Sequence, residues 1–177
     1  MAARKKGAAK KAARGKKGLG KPRVAILMGS QNDWAKMKGA EDMLNQLGVA
    51  CDVRVISAHR TPDRHAKYVE SAGERGIELF ICGAGMAAHL AGVTAAATPL
   101  PVLGVPLDGS AVNGMDALLA TVQMPPGIPV ATFAIGSPGA KNAGLFAGAI
   151  LANSDPKVRR ALEAFRKKQT AAVPERP

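Results

Sequence analysis

The feature that most constrains the fold is a recurrence of short apolar runs separated by stretches of helix length. Val24–Met28 is apolar at every position, and Cys51–Ile56, Glu78–Cys82, Val102–Val105 and Val130–Ile135 follow at regular intervals. A run with little polar alternation marks a strand buried on both faces. Between the runs, helices are predicted over Trp34–Leu47, Pro62–Arg75, Met86–Ala97, Gly114–Val122 and Ala140–Ala152. The first carries Met37, Ala40, Met43, Leu44 and Leu47 on one face and stops at Gly48; the second stops at Gly76. A last amphipathic helix, Asp155–Thr170, has Val158, Leu162 and Phe165 as its apolar stripe. Strands alternating with helices predict an α/β fold, a three-layer αβα sandwich around a five-stranded parallel sheet. The segment Gln123–Pro129 is too proline-rich for regular structure and reads as a rigid connector or lid.

Charge divides the chain. The net charge is +12, but residues 1–23 hold ten of the 25 basic residues and no acidic one, so the remainder is nearly neutral. Residues 1–22 are low-complexity Ala, Lys, Gly and Arg with nothing to bury, and are expected to be disordered. They read as a solubilising extension, or more sharply as a source of weak, salt-sensitive polyanion binding. Residues 23–153 form the expected catalytic domain, and 154–177 a C-terminal helix and tail that packs on a neighbouring subunit. Only 3% of residues are aromatic, which argues against base-stacking surfaces. Cys51 and Cys82 lie in or beside apolar runs and read as buried free thiols of a reducing, cytoplasmic compartment. The cysteines and His59, His65 and His89 do not have zinc-site spacing. No apolar run approaches the roughly 18 residues of a membrane span, and no secretory signal core is present.

In a parallel sheet the connections return the chain to one edge, so loops after successive strands share a crevice. Three such loops carry polar chemistry. The first, Gly29–Asp33, leads into a helix whose N-terminal N–H groups suit an anion; Asp33 suits a ribose hydroxyl or a helix cap. The second, Ser57-Ala58-His59-Arg60-Thr61-Pro62, places a hydroxyl, an imidazole and a guanidinium between a strand end and a helix start. Thr61 caps, and Pro62 fits the first turn. An imidazole there can move protons near neutral pH, and a guanidinium can hold a phosphate or carboxylate bidentately. The third, Gly83–Leu90, begins with small residues that admit a ligand close to the backbone. From these residues alone His59 and Arg60 are as readily surface groups as functional ones. His89 reads more readily as structural, and His65 as surface or interface. Met28, Met37, Met43 and Met115 read as core fillers, and Trp34 as packing.

Taken together the three loops resemble the class I PurE family, the carboxyaminoimidazole ribonucleotide mutases of purine biosynthesis. The matching pieces are Met28-Gly29-Ser30 with Asp33-Trp34, Ser57-Ala58-His59-Arg60-Thr61-Pro62, and Gly83-Ala84-Gly85 with Ala87-Ala88-His89-Leu90. Pro101–Pro106, Val122–Pro125, Gly127–Val130 and Lys141–Gly144 extend the match over residues 23 to about 170. The resemblance implies a flavodoxin-like fold, a homo-octamer, no metal or organic cofactor, and transfer of a carboxylate from the exocyclic nitrogen of an imidazole ribonucleotide to ring carbon 4. It implies His59 as general acid and base, Ser30, Ser57 and Arg60 around the 5′-phosphate, and Asp33 on the ribose. Asn32, Ala58, Gly83, Ala84, Gly85, His89 and Leu90 complete the implied substrate site.

Class II relatives, which use free carbon dioxide, carry Lys at the Arg60 position and lack the Ala-Ala-His-Leu segment. Three departures from the class I pattern stand out: Asn32 for Ser, Met86 for Gly and Ala91 for Pro. If the backbone at Met86 needs positive φ, its side chain costs about 1–2 kcal/mol. A divergent paralogue, a carboxylase using free carbon dioxide, and a flavodoxin-like module for a phosphorylated ligand such as FMN are the alternative readings. The scarcity of aromatics and of first-loop hydroxyls counts against FMN.

Overall fold

The computed structural model describes residues 19–176; the remainder of the basic segment, residues 1–18, lies outside the described residues. Five strands, β1 (Val24–Met28), β2 (Cys51–Val55), β3 (Leu79–Gly85), β4 (Val102–Leu107) and β5 (Ala131–Thr132), form one sheet in the order β2-β1-β3-β4-β5. Every neighbouring pair is parallel. Six α-helices accompany it: α1 (Trp34–Gln46), α2 (Pro62–Glu70), α3 (Leu90–Ala96), α4 (Met115–Val122), α5 (Ser137–Ala152) and α6 (Pro156–Ala171).

The strands' apolar character follows from burial on both faces. Val24, Ile26 and Met28 join Met37 and Leu44 of α1 and Ala143 and Leu151 of α5 in one core. Ala25 and Leu27 point the other way, to Val69 of α2 and Leu90 and Ala91 of α3 in the second. All five residues of β1 are buried, so no position can be polar without loss, each large side chain contributing about 1.5–3 kcal/mol. Helices α1 and α5 touch through small residues. A Cβ on Gly144 would stand 2.8 Å from the Ala40 carbonyl oxygen, so the Ala/Gly content of α5 sets the closeness of this contact. Helix α6 packs on α5, with Val158 buried and Leu162 and Phe165 partly so. Its start is fixed by Asp155, which accepts from the Lys157 and Val158 amides and receives Arg23 Nη1 at 2.8 Å.

Several boundaries differ from the sequence reading. Helix α2 ends at Glu70 rather than Arg75; residues 71–76 turn instead, with Arg75 stacked over the Tyr68 ring at 4.1 Å and bonded to the Tyr68 carbonyl. Strand β3 runs to Gly85, because Ala84 and Gly85 still pair with Pro106 and Leu107 of β4. Helix α3 therefore begins at Leu90 rather than Met86. Strand β4 continues through Pro106, and β5 shrinks to two residues. The two changes are linked: beyond Thr132 the chain leaves the ladder, and the Pro106 carbonyl accepts from Gly136. Pro106, with no N–H, stands where β5 has ended.

His65 is corrected most sharply. It is buried rather than at the surface, and its Nε2 lies 2.8 Å from Thr94 Oγ1 between α2 and α3. Thr94 donates its own proton to the Leu90 carbonyl, so His65 Nε2 is the donor in that pair. Burial lowers the His65 pKa, consistent with a neutral ring.

Candidate active site

The ends of β1, β2 and β3 open on one cleft of ≈ 590 Å³ at the carboxyl edge of the sheet. Ser30, Asn32, Asp33, Ser57, Ala58, His59, Arg60, Ala84, Gly85 and Leu90 all line it. Two residues named from the sequence do not. Gly83 is buried beneath the floor, and a Cβ there would meet Met37 Sδ at 2.3 Å; its glycine serves packing, not ligand access. His89 is exposed and reaches the cleft through His59, whose Nε2 lies 3.0 Å from His89 Nδ1, with the rings edge to face at 85°.

The first loop is organised by reciprocal capping. The Ser30 amide donates to Asp33 Oδ2 at 2.9 Å, and the Asn32 amide donates to Ser30 Oγ at 3.2 Å. Burial pushes the Asp33 carboxyl above the ordinary carboxylate range, while the Ser30 amide, Lys36 and Arg60 oppose the shift. The second loop is closed by hydroxyls: Thr61 Oγ1 donates to the Ser57 carbonyl and accepts from the Ser57 amide. Ser57 Oγ accepts from the Arg60 amide and, at 3.4 Å, from Arg60 Nε. Arg60 Nη2 donates to the Gly29 carbonyl at 2.7 Å, joining the first loop to the second.

This pattern fixes what remains for a ligand. Ser30 and Ser57 both accept from the chain, so each keeps its O–H. Arg60 spends two of its five N–H groups on Ser57 and Gly29 and keeps three. The cleft therefore presents two hydroxyl donors and a charged fork, with the His59 imidazole in the second loop linked to that of His89 in the third.

Met86 lines the cleft with φ 56° and is 62% exposed. The backbone here is left-handed, so the condition under which the Met86 side chain is strained is met. Met86→Gly is expected to raise stability by about 0.5–1 kcal/mol, the relief of strain less the added chain entropy of glycine. Urea unfolding measures this directly, and an unchanged or lower midpoint would mean that the turn carries no strain.

Sequence reasoning missed Lys36 and Asp108. Lys36 Nζ lies 2.8 Å from Asp108 Oδ1 and 2.5 Å from the Asp108 carbonyl oxygen, and both residues line the cleft. They are 72 positions apart, and neither belongs to a motif, so only the folded chain brings them together.

Comparison with known proteins shows the family and the fold. A family model described as AIR carboxylase matches residues 23–172. The chain is 54% identical over 154 residues to the N5-carboxyaminoimidazole ribonucleotide mutase of Vibrio cholerae, a match covering 87% of this chain and 96% of that protein. It is 55% identical over 151 residues to the mutase of the same name from Bacillus subtilis, covering 84% and 93%. A match to the bifunctional purine synthesis protein purC/E of Dictyostelium discoideum, at 54% identity, covers 90% of this chain but 16% of that protein. Among solved structures, Treponema denticola PurE superposes with a TM-score of 0.77 at 24% identity, covering 85% of this chain and 92% of the other, and shares the fold.

Proposed function

This chain belongs to the AIR carboxylase family, and we propose from that membership that it is an enzyme of purine biosynthesis, a 5-(carboxyamino)imidazole ribonucleotide mutase. The observation that carries the reading is the joining of the first two loops by Arg60 beside His59, in a chain more than half identical to named mutases.

The free N–H groups of Arg60 and the hydroxyls of Ser30 and Ser57 bind the 5′-phosphate, and Asp33 accepts from the ribose hydroxyls. His59 gives a proton to the exocyclic nitrogen as its bond to the carboxylate breaks and carbon dioxide forms. The enamine-like carbon 4 of the aminoimidazole attacks that carbon dioxide, and His59 takes back the proton that carbon 4 loses. Protons and carbon balance over the cycle, so one imidazole serves as acid and then base. His89, hydrogen-bonded to His59 Nε2, fixes which ring nitrogen is engaged and leaves Nδ1 for the transfer. Holding carbon dioxide beside its acceptor replaces a bimolecular capture with a local one.

The homo-octamer is part of this reading; Met115, expected from the sequence to fill the core, is exposed instead, and the stripe it forms with Leu119 and Val122 on α4 supports burial against further copies, which light scattering tests. Two buried, unpaired cysteines support a reducing, cytoplasmic setting. The basic segment supplies weak polyanion binding, tested by deleting residues 1–22 and titrating across a salt series.

Turnover of the carboxyamino substrate without added bicarbonate tests the mutase assignment. Bicarbonate-independent product formation supports it, and strict dependence on bicarbonate would reassign the chain as a carboxylase.

A further inference from the structure

Two buried polar side chains take no part in the cleft, yet bond to each other. His65 of α2 is 3% exposed and Thr94 of α3 is fully buried. His65 Nε2 donates to Thr94 Oγ1 at 2.8 Å. The hydroxyl is saturated: it also accepts from the Cys82 thiol of β3, at 3.6 Å, and donates to the Leu90 carbonyl at 2.8 Å. Two aliphatic side chains would fill this space without desolvating any polar group. A hydrogen bond adds direction to such packing, because it weakens steeply when one helix slides or turns on the other.

The two helices carry the loops that hold the linked imidazoles. His59 and Arg60 lie between Ser57 and Thr61, and the Thr61 amide donates to the Ser57 carbonyl at 2.9 Å. The His65 amide donates in turn to the Thr61 carbonyl at 3.0 Å, so the second loop is bonded to the first turn of α2. His89 immediately precedes α3, and its carbonyl accepts from the Val93 amide at 2.9 Å. His65 and Thr94 each stand about one helical turn behind these loops, about 6–7.5 Å along the axis. The His59–His89 bond at 3.0 Å and the His65–Thr94 bond at 2.8 Å therefore join the same two elements at two points. A shift at the buried point moves the rings at the exposed one.

We propose that His65 and Thr94 are positioning residues that hold the His59 and His89 rings in register through α2 and α3, a role in catalysis that rests on the reading of His59 as the proton-transfer group. Arg60 is held from elsewhere, by the Gly29 carbonyl and Ser57. The buried pair thus sets the rate of proton transfer and not the grip on the nucleotide.

Turnover, calorimetric affinity for 5-aminoimidazole ribonucleotide and imidazole ¹⁵N spectra of the full chain test this. In the double variant His65→Leu with Thr94→Val, kcat is expected to fall about tenfold, part of the roughly hundredfold that a 1 Å misplacement can cost. Nucleotide affinity should stay within about twofold. The chain has three histidines, so this variant keeps only the His59 and His89 rings, and their nitrogen shifts should move toward averaged tautomers. His65→Gln, which offers an N–H in place of Nε2, should keep kcat within about threefold of the parent, while His65→Leu alone loses it as the double variant does. Parental kcat or parental ring shifts in the double variant, an equal loss of kcat and affinity, or a His65→Gln no better than His65→Leu would overturn the assignment. Absence of turnover in the unsubstituted chain would instead overturn the mutase reading, and the ring shifts would then decide by themselves whether the pair holds the imidazoles.

Discussion

Replacing His59 with Asn is expected to lower turnover by about a thousandfold while ribonucleotide affinity stays within about threefold of the parent. General acid–base groups contribute about 10²- to 10⁴-fold, and in the proposed cycle one ring serves two proton transfers, so a value no lower than the middle of that range applies. Asn is close in size and can still hydrogen-bond to His89, so the edge-to-face contact is replaced rather than emptied. His59 is exposed, and its substitution opens no core cavity. The signature is thus a fall in kcat with little change in binding. Turnover near the parental rate would remove His59 from the proton path.

Arg60→Ala is expected to raise KM for the ribonucleotide by about 30- to 100-fold. Charge-assisted bonds to a phosphate contribute about 1.5–3 kcal/mol, and the Arg60 side chain joins the first loop, at the Gly29 carbonyl, to Ser57. Its loss removes the proposed phosphate ligand and loosens the two loops that present Ser30 and Ser57. Arg60→Lys keeps the charge but cannot span Gly29, Ser57 and a ligand with one fork, so its KM should fall between the two. A KM unchanged in Arg60→Ala would place the phosphate elsewhere.

Residues whose neighbours are close in sequence were the legible ones. Pro62 is legible as the start of α2, but Thr61, expected to cap that helix, makes no side-chain bond to it and turns its hydroxyl back to the Ser57 amide and carbonyl instead. The strands of the sheet's centre could be read because burial on both faces leaves no polar position to confuse the pattern. Residues whose neighbours are distant were misread. His65 looks like a surface residue on a helix until Thr94, 29 positions on, supplies its buried partner. Gly83 looks like Gly85, since both end an apolar run; only the position of Met37 shows that one relieves a core contact and the other borders the cleft. Strand β5 is shorter than its apolar run because Gly136 and the Pro106 carbonyl draw the chain out of the ladder, a tertiary effect with no local signature.

In the proposed reading one imidazole faces carbon 4 of a nucleotide whose phosphate is anchored by Arg60. A crystal structure of the full chain with bound 5-aminoimidazole ribonucleotide decides this. Phosphate oxygens within hydrogen-bond distance of Arg60 and Ser30, with carbon 4 within about 4 Å of the His59 ring, are expected. A nucleotide seated outside this cleft, or one whose carbon 4 lies beyond reach of His59, would contradict it.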